Sequence, residues 1–311
     1  MDNKYKITIN ACFIGHIVQA IVNNFVPLLF LTFHNQYGIS MANITLLITI
    51  NFGVQLFVDL VSAGFIDKIG YKVSAVMAHI FVSAGLILLT ILPELCSNAF
   101  LGLFIAVTIY AVGGGLTEVL LSPIMEACPT ENKEKAMSML HSFYCWGHVM
   151  VVLFSTIFFT VVGINNWKTM AVIWSVIPIA NAIIFMKAPV RHLLDEGETG
   201  LTMKELFQRK VFWILMLMMM CAGASEQAVS QWASTFAEMG LHVSKTIGDL
   251  AGPMMFAILM GTSRAIYGKY GDKMNLDRFM KYSAVLCVAS YLIISLVPNP
   301  VSYTHLRAHE T

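Results

Sequence analysis

Apolar residues occur in long stretches that are separated by short segments carrying most of the charges. A bilayer core of about 30 Å takes about 20 helical residues to cross, because backbone polar groups find no water there. We therefore predict nine spanning helices, over residues 7–33, 41–63, 73–92, 99–124, 137–162, 166–187, 211–235, 247–267 and 279–297. The first stretch is too long and too polar, at Asn10, His16 and Gln19, for a cleaved signal peptide, so we expect it to remain as a span.

The composition indicates an integral membrane protein with an all-α fold. Of the 311 residues, 57% are hydrophobic and 12% are charged, and no water-soluble domain of this size is so poor in charge. The 19 basic and 18 acidic residues nearly cancel, which leaves no basic excess for a nucleic-acid partner. The six cysteines are scattered, so we expect neither a zinc site nor a disulfide framework.

No motif for nucleotide hydrolysis or for common hydrolytic chemistry occurs. The sequence lacks G-x-x-x-x-G-K-[ST], H-E-x-x-H and G-x-S-x-G. We expect no enzyme activity, no metal and no cofactor, and transport would depend on a gradient of solute or ion.

Positive charges predict the orientation. If successive spans cross the membrane in opposite directions, fifteen of the 19 basic residues lie on the same side as the N-terminus. Lys168, Lys245 and Arg307 fall on the other side, while Arg264 lies near the end of the eighth span, where we expect it to extend towards the membrane surface as a structural residue. Because short loops rich in Lys and Arg stay in the cytoplasm, we expect a multi-pass protein of the cell membrane with a cytoplasmic N-terminus.

A short motif recurs two spans into each half of the chain. The turn after the second span contains Asp67 and Lys68, followed by Gly70 and Lys72. The turn after the eighth span carries the matching residues Gly268, Asp272 and Lys273. An Asp-Lys pair beside a glycine is common in cytoplasmic turns, but its recurrence at corresponding positions indicates a duplicated architecture.

The chain resembles the major facilitator superfamily of secondary transporters, whose second loop carries G-x-x-x-D-R/K-x-G-R-R/K. Asp67, Lys68, Gly70 and Lys72 match this motif, whereas Ala63 and Tyr71 depart from it. Residues 135–147 and 223–232 resemble the sugar and fucose permeases of the superfamily.

The resemblance implies twelve spans in two bundles of six, with substrate bound near the midplane and exposed alternately to each side. We therefore expect a complete N-terminal bundle over residues 1–187, a cytoplasmic linker over 188–210 and a partial C-terminal bundle over 211–297. Residues 298–311 have a different composition and are interpreted as a non-native or truncated tail, with a genuine external loop as the alternative. Within the linker, residues 202–210 fit either a short amphipathic helix or a charged loop.

Polar side chains inside the spans mark candidate transport residues, because they are costly in hydrocarbon and face the bundle interior. His16, Gln19 and Asn23 share one face of the first span, and Asn51, Gln55 and Asp59 share one face of the second. The alternative is that these amides only connect helices. Glu118 follows three glycines, Gly113–Gly115, which would let neighbouring helices approach closely.

The seventh span carries a second group of candidates, centred on Glu226. Ser230 lies on the face of Glu226, and Gln227 and Gln231 form an adjacent pair. Such a patch suits a polyhydroxylated ligand, and Trp232 offers an aromatic face for the apolar side of a sugar. His141 in the fifth span is a further candidate that titrates near neutral pH, although a single histidine is more often a packed structural residue.

These features predict a secondary transporter that moves a small solute, a sugar or a polyol together with a proton, by alternating access. We expect it to act as a monomer in the lipid bilayer. Drug or metabolite efflux on the same fold remains an alternative, which predicts a pocket richer in Phe and Met than in amides. A membrane-embedded enzyme or receptor is a further alternative, although no loop is long enough for an extramembrane domain.

Overall fold

The computed structural model describes residues 4–62, 64–130, 133–191, 203–270 and 275–296. Its helices, in chain order, are α1 Lys6–Asn24, α2 Phe30–Tyr37, α3 Met41–Ser62, α4 Ile66–Ile69, α5 Tyr71–Leu95, α6 Ala99–Ala127, α7 Lys133–Val162, α8 Trp167–Lys187, α9 Met203–Phe207, α10 Lys210–Leu241, α11 Lys245–Asp249, α12 Met255–Tyr270 and α13 Leu276–Leu296. A 3-10 segment, Val26–Leu29, joins α1 to α2, and a π-helical segment, Leu250–Met254, joins α11 to α12.

The first seven of the nine predicted spans correspond to helices that could cross a membrane. Within the described residues, seven helical segments are long and apolar enough to cross a membrane: Lys6–Tyr37, Met41–Ser62, Tyr71–Leu95, Ala99–Ala127, Ala136–Val162, Ile164–Lys187 and Lys210–Gly240. The eighth predicted stretch falls on α11, the π-helical segment and α12, and the ninth falls on α13. The all-α fold is therefore confirmed.

Helix α3 shows how the bundle distributes its polarity. Gln55 and Asn51 are 3% and 5% exposed on the inner face, whereas Leu56 and Phe57 are 61% and 65% exposed on the outer face. This arrangement reverses that of a water-soluble helix and is the one expected where hydrocarbon surrounds the bundle.

Close packing among α1, α3, α5 and α6 depends on the glycine run in α6. A β-carbon on Gly113 would lie 2.4 Å from the Ala78 carbonyl oxygen of α5, and one on Gly114 would lie 2.8 Å from Val22 of α1. A β-carbon on Gly115 would lie 2.9 Å from the Gln55 carbonyl oxygen of α3. The three missing side chains therefore bring α6 into contact with three helices at once.

A buried polar contact joins α1, α5 and α8. The Nδ2 atom of Asn181 donates to the Ala11 carbonyl oxygen at 3.0 Å and lies 2.7 Å from Nε2 of His79. His79 Nδ1 lies 2.7 Å from the Ala75 carbonyl oxygen, so that nitrogen carries the proton and Nε2 accepts. Both side chains are fully buried, and this set of bonds satisfies the imidazole of His79.

The helices of the C-terminal part pack on α7 and on the 3-10 segment of the first span. Gly261 of α12 faces Cys145 of α7, and a β-carbon placed on Gly261 would lie 3.3 Å from the Cys145 β-carbon. Helix α13 contacts α10 through the Tyr291 hydroxyl, which donates to the Ser225 carbonyl oxygen at 2.7 Å. The inner faces of α1, α3, α6, α7, α10 and α12 thereby surround a shared polar region.

Candidate functional site

The centre of this region is a network of amides from α1 and α3. Gln55 Nε2 donates to Asn23 Oδ1 at 3.0 Å and to Asn51 Oδ1 at 3.1 Å, while Gln55 Oε1 accepts from Gln19 Nε2 at 2.9 Å. Asn51 Nδ2 lies 3.5 Å from the same Asn23 oxygen. All four side chains are buried, so Gln55 connects the two polar faces predicted from the sequence.

Glu118 joins the network from α6. Its Oε2 atom accepts a hydrogen bond from Gln19 Nε2 at 3.2 Å, and the residue remains accessible. The Oε1 atom of Gln19 is buried and has no hydrogen-bond partner among the described residues. The carboxylate of Glu118 is therefore accessible at the edge of the network, whereas the Gln19 oxygen is enclosed within it.

Gln231 carries the network from α1 across to α10. Its Nε2 atom donates to the Asn23 carbonyl oxygen at 3.1 Å and to Gln227 Oε1 at 3.2 Å. In a regular helix the Asn23 carbonyl would accept from the residue four positions later, which is Pro27 and has no N–H. The Gln231 side chain supplies the missing donor, so the break in the first span creates a contact with the second part of the chain.

A small recess of about 10 Å³ lies beside this contact. Asn23, Asn51 and Gln231 contribute its polar lining, and Tyr110 is among its apolar lining residues. Trp232 packs on Phe30 with ring centroids 5.5 Å apart, which fixes the position of its ring next to the recess. Ser230, the neighbour of Gln231, is 6% exposed.

Imidazoles lie one turn away from Gln19, nearer to the end of the bundle that carries Lys68. The rings of His16 and His141 meet edge to face, with centroids 5.4 Å apart. His16 is 8% exposed, and neither of its ring nitrogens has a hydrogen-bond partner among the described residues. The electrostatic field of Arg264 reaches both imidazoles.

Glu226 lies half-buried on α10, within the electrostatic range of Arg264. Within the part of the chain that the structure describes, Arg264 forms no ion pair within 4.0 Å with Glu226 or with another carboxylate. The guanidinium contacts Met260 Sδ at 3.9 Å. The sequence led us to expect that Arg264 extends to the membrane surface, whereas in the structure its guanidinium turns back along α12 to Met260 and lies within electrostatic range of the histidines and Glu226.

A second polar cluster closes the opposite end of the bundle, around the fully buried Asp249. Thr156 of α7 donates to Asp249 Oδ2 at 3.2 Å, and Ser234 of α10 donates to Oδ1. Lys245 lies 3.2 Å from Oδ1, 3.6 Å from Glu238 Oε1 and 2.6 Å from the Leu28 carbonyl oxygen. We call these residues the Asp249 cluster, which joins the first and fifth spans to α10 and α11.

The family model of the Major Facilitator Superfamily matches residues 11–306. The chain belongs to this superfamily. It is therefore a multi-pass membrane protein and a secondary transporter, and transporters of this superfamily bind small-molecule substrates within the membrane. Among curated proteins, no match to the chain is found.

The first superfamily turn, at Lys68, is built around Gly70. This residue has φ of +91° and follows α4, and its N–H donates to the Ile66 carbonyl oxygen at 2.7 Å. Only glycine adopts that conformation without strain, which explains the glycine in the motif. Lys68 is exposed, and Lys72 lines a surface cavity together with Arg191. Asp67 lies in α4, and its side chain is outside the described residues.

The second copy of the motif is described in part. Gly268 lies in α12, while Asp272 and Lys273 fall outside the described residues. The shared role of the two motif copies stays a prediction.

The structure brings the predicted residues of the first, fourth, fifth and seventh spans to one region. The Asp249 cluster was not among the candidate sites predicted from the sequence. One signal was present, because Lys245 and Asp249 form an i,i+4 pair at the start of the eighth predicted span. Their contacts with Leu28 and Thr156 could not be read from that spacing.

Proposed function

We propose that this superfamily member moves a small hydroxylated solute, a sugar or a polyol, across the cell membrane together with a proton. The observation that supports the proposal is the amide network centred on Gln55, with the accessible carboxylate of Glu118 at its edge. Amides both donate and accept, so they match hydroxyl groups, which have the same dual character.

The surroundings of Asn23 favour a polar solute over the efflux alternative. A drug-binding pocket would present mainly Phe and Met, whereas this recess combines three amides with aliphatic and aromatic side chains. Phe30 lines the recess, and Trp232, which packs on Phe30, would extend the aromatic surface for the apolar side of a sugar ring. Mixed lining of this kind is typical of sites that bind polyhydroxylated ligands.

The proposed proton carriers are Glu118 and Glu226. Glu118 is bound to Gln19, so a change in its protonation alters a bond inside the network. Glu226 lies within electrostatic range of Arg264, so its protonation changes the charge balance of the region. Both carboxylates are thereby connected to groups that the solute would contact.

We further propose that residues 1–187 and 211–297 move as two bodies about this region, with 188–210 as the cytoplasmic linker. The Asp249 cluster would hold the bodies together at one end while the other end opens. The Lys68 turn would act at the opposite face. The distribution of basic residues supports a cytoplasmic position for that face and for the N-terminus.

Proteoliposome uptake tests the proposal. The purified chain is reconstituted, an inward proton gradient is imposed, and accumulation of radiolabelled hexoses and hexitols is followed with and without a protonophore. We expect accumulation that the protonophore abolishes. Absence of accumulation for every hydroxylated solute would favour efflux, which is then examined with inverted gradients.

A further inference from the structure

The region below the amide network, towards Lys68, has a different chemistry from the network itself. It contains two imidazoles and a guanidinium, from three different helices: His16 on α1, His141 on α7 and Arg264 on α12. The amides above it are neutral. A solute that fills both regions would therefore meet hydroxyl-binding groups at one end and cationic or N–H donors at the other.

The register between α7 and α12 places Arg264 close to His141. Gly261 packs on Cys145, and α7 and α12 run in opposite directions at this contact. One turn further along α12 is Arg264, and one turn back along α7 is His141. His148 and Phe256, with ring centroids 6.4 Å apart, extend the same antiparallel register in the other direction. Arg264 and His141 therefore occupy the same level of the bundle.

These donors have unused hydrogen-bonding capacity. Within the described part of the chain, the guanidinium of Arg264 has no carboxylate within 4.0 Å. Both ring nitrogens of His16 lack a hydrogen-bond partner there, and the residue is buried, with 8% of its surface exposed. Buried polar groups are usually hydrogen-bonded, and each unpaired one costs free energy. An arginine and an unpaired histidine at one place are thus suited to an anionic acceptor, for which a guanidinium offers paired N–H groups.

The spacing of the two regions defines the size of the ligand. Seven residues separate His16 from Asn23, which corresponds to about 10 Å along a helix axis. This length suits a compound of about six carbon atoms with a carboxylate at one end. A neutral monosaccharide would form no charge-assisted hydrogen bond with Arg264.

We propose that the transported solute is a hydroxylated carboxylate, of the class of the sugar acids, whose carboxylate is held by Arg264 with His16 and His141. The inference rests on the proposed function and narrows its substrate class. Gln19, Gln55 and Gln231 bind the hydroxyl groups in the amide network. The hydroxyl-binding and anion-binding regions together select against both neutral sugars and simple fatty acids.

Direct binding to the purified full chain tests this assignment. Tryptophan fluorescence is titrated with three probes: galacturonate, galactose, which has the same ring without the charge, and cyclohexanecarboxylate, which has the charge without the hydroxyls. We expect galacturonate to bind at least about tenfold more tightly than either other probe, since galactose lacks the charge-assisted contact and cyclohexanecarboxylate lacks the hydroxyl contacts.

Two variants and one control distinguish the contribution of the anion-binding region from that of the amide network. Arg264→Gln should reduce galacturonate affinity to that of galactose and leave galactose binding unchanged, while Arg264→Lys should restore part of the difference. Lys187→Gln removes an exposed positive charge at the end of α8 and should change neither affinity.

Equal binding of galactose and galacturonate by the unmodified chain would overturn the assignment while leaving the proposed sugar transport intact. An equal loss for both probes in Arg264→Gln would mean that Arg264 is structural. If no hydroxylated probe bound, whether charged or neutral, the proposed function would fail together with the inference. If a variant does not fold, the comparison of galacturonate with galactose on the unmodified chain still tests the assignment.

Discussion

The ammonium group of Lys245 donates to the carbonyl oxygen of Leu28 at 2.6 Å, across 217 positions of sequence. Leu28 lies in the 3-10 segment that interrupts the first span. The same ammonium lies 3.2 Å from the buried Asp249 carboxylate. One cation therefore joins a backbone atom of the first span to a buried acid of the C-terminal part.

Removal of one member of this contact should be costly. Lys245→Met leaves Asp249 without its cation in a buried position, and we expect a loss of about 3–5 kcal/mol of stability. Thermal unfolding in detergent measures the effect. The double variant Lys245→Met/Asp249→Asn should recover much of the loss, because no uncompensated charge remains. Full additivity of the two single changes would contradict the coupling.

The amide network predicts a central role for Gln55. Gln55→Leu removes two hydrogen bonds to α1 and one between the amides of α3, and leaves buried polar atoms unpaired. We expect hydroxylated-solute uptake to fall at least about tenfold in reconstituted vesicles. Phe57→Leu, on the outer face of the same helix, serves as the control and should transport normally. Similar uptake by both variants would show that the network is only structural.

Glu226 should matter for transport more than for assembly. Glu226→Gln keeps the shape of the side chain but removes the charge within electrostatic range of Arg264, and we expect it to abolish uptake while leaving membrane insertion intact. Uptake and the amount of protein in the membrane fraction are measured side by side. Unchanged uptake would place the pocket elsewhere.

The superfamily turn predicts a kinetic effect at Asp67. Asp67→Asn changes a residue of α4, next to the Gly70 turn and away from the amide network. We expect the maximal rate to fall while the concentration for half-maximal uptake stays nearly constant. Lys133→Gln, at the start of α7, provides a control for loss of a surface charge at the same end. A raised half-maximal concentration at normal maximal rate would refute a gating role.

The glycine run of α6 predicts a large difference between two glycine substitutions. Gly115→Ala places a methyl group 2.9 Å from both the Gln55 carbonyl oxygen and the Val58 side chain, so α3 must move. We expect about 1–3 kcal/mol of destabilisation, observed as a lower melting temperature in detergent. Gly53→Ala, which meets nothing within 4 Å, is the matched control and should retain normal stability. Equal melting temperatures would contradict the close packing.

The polar faces of the first two spans were predictable from the sequence because they depend on local periodicity. His16, Gln19 and Asn23 recur at helical spacing, and the same spacing relates Asn51 to Gln55. The spacing does not show that Gln55 hydrogen-bonds to residues of both helices, since this depends on how α1 and α3 are rotated relative to each other. The prediction for Arg264 differed from the structure for a similar reason, because the direction of a long side chain depends on the helix beside it.

The sequence by itself determined the spanning helices, their polar faces and the superfamily turn, because hydrophobic length, helical spacing and the need for glycine at φ of +91° are properties of short segments. The tertiary structure decided which polar groups meet. Gln231 reaches the carbonyl that Pro27 leaves free, and Asp249 is enclosed by residues of several helices. Such contacts join distant parts of the chain, and they form only when whole helices pack and leave buried polar groups that must find partners.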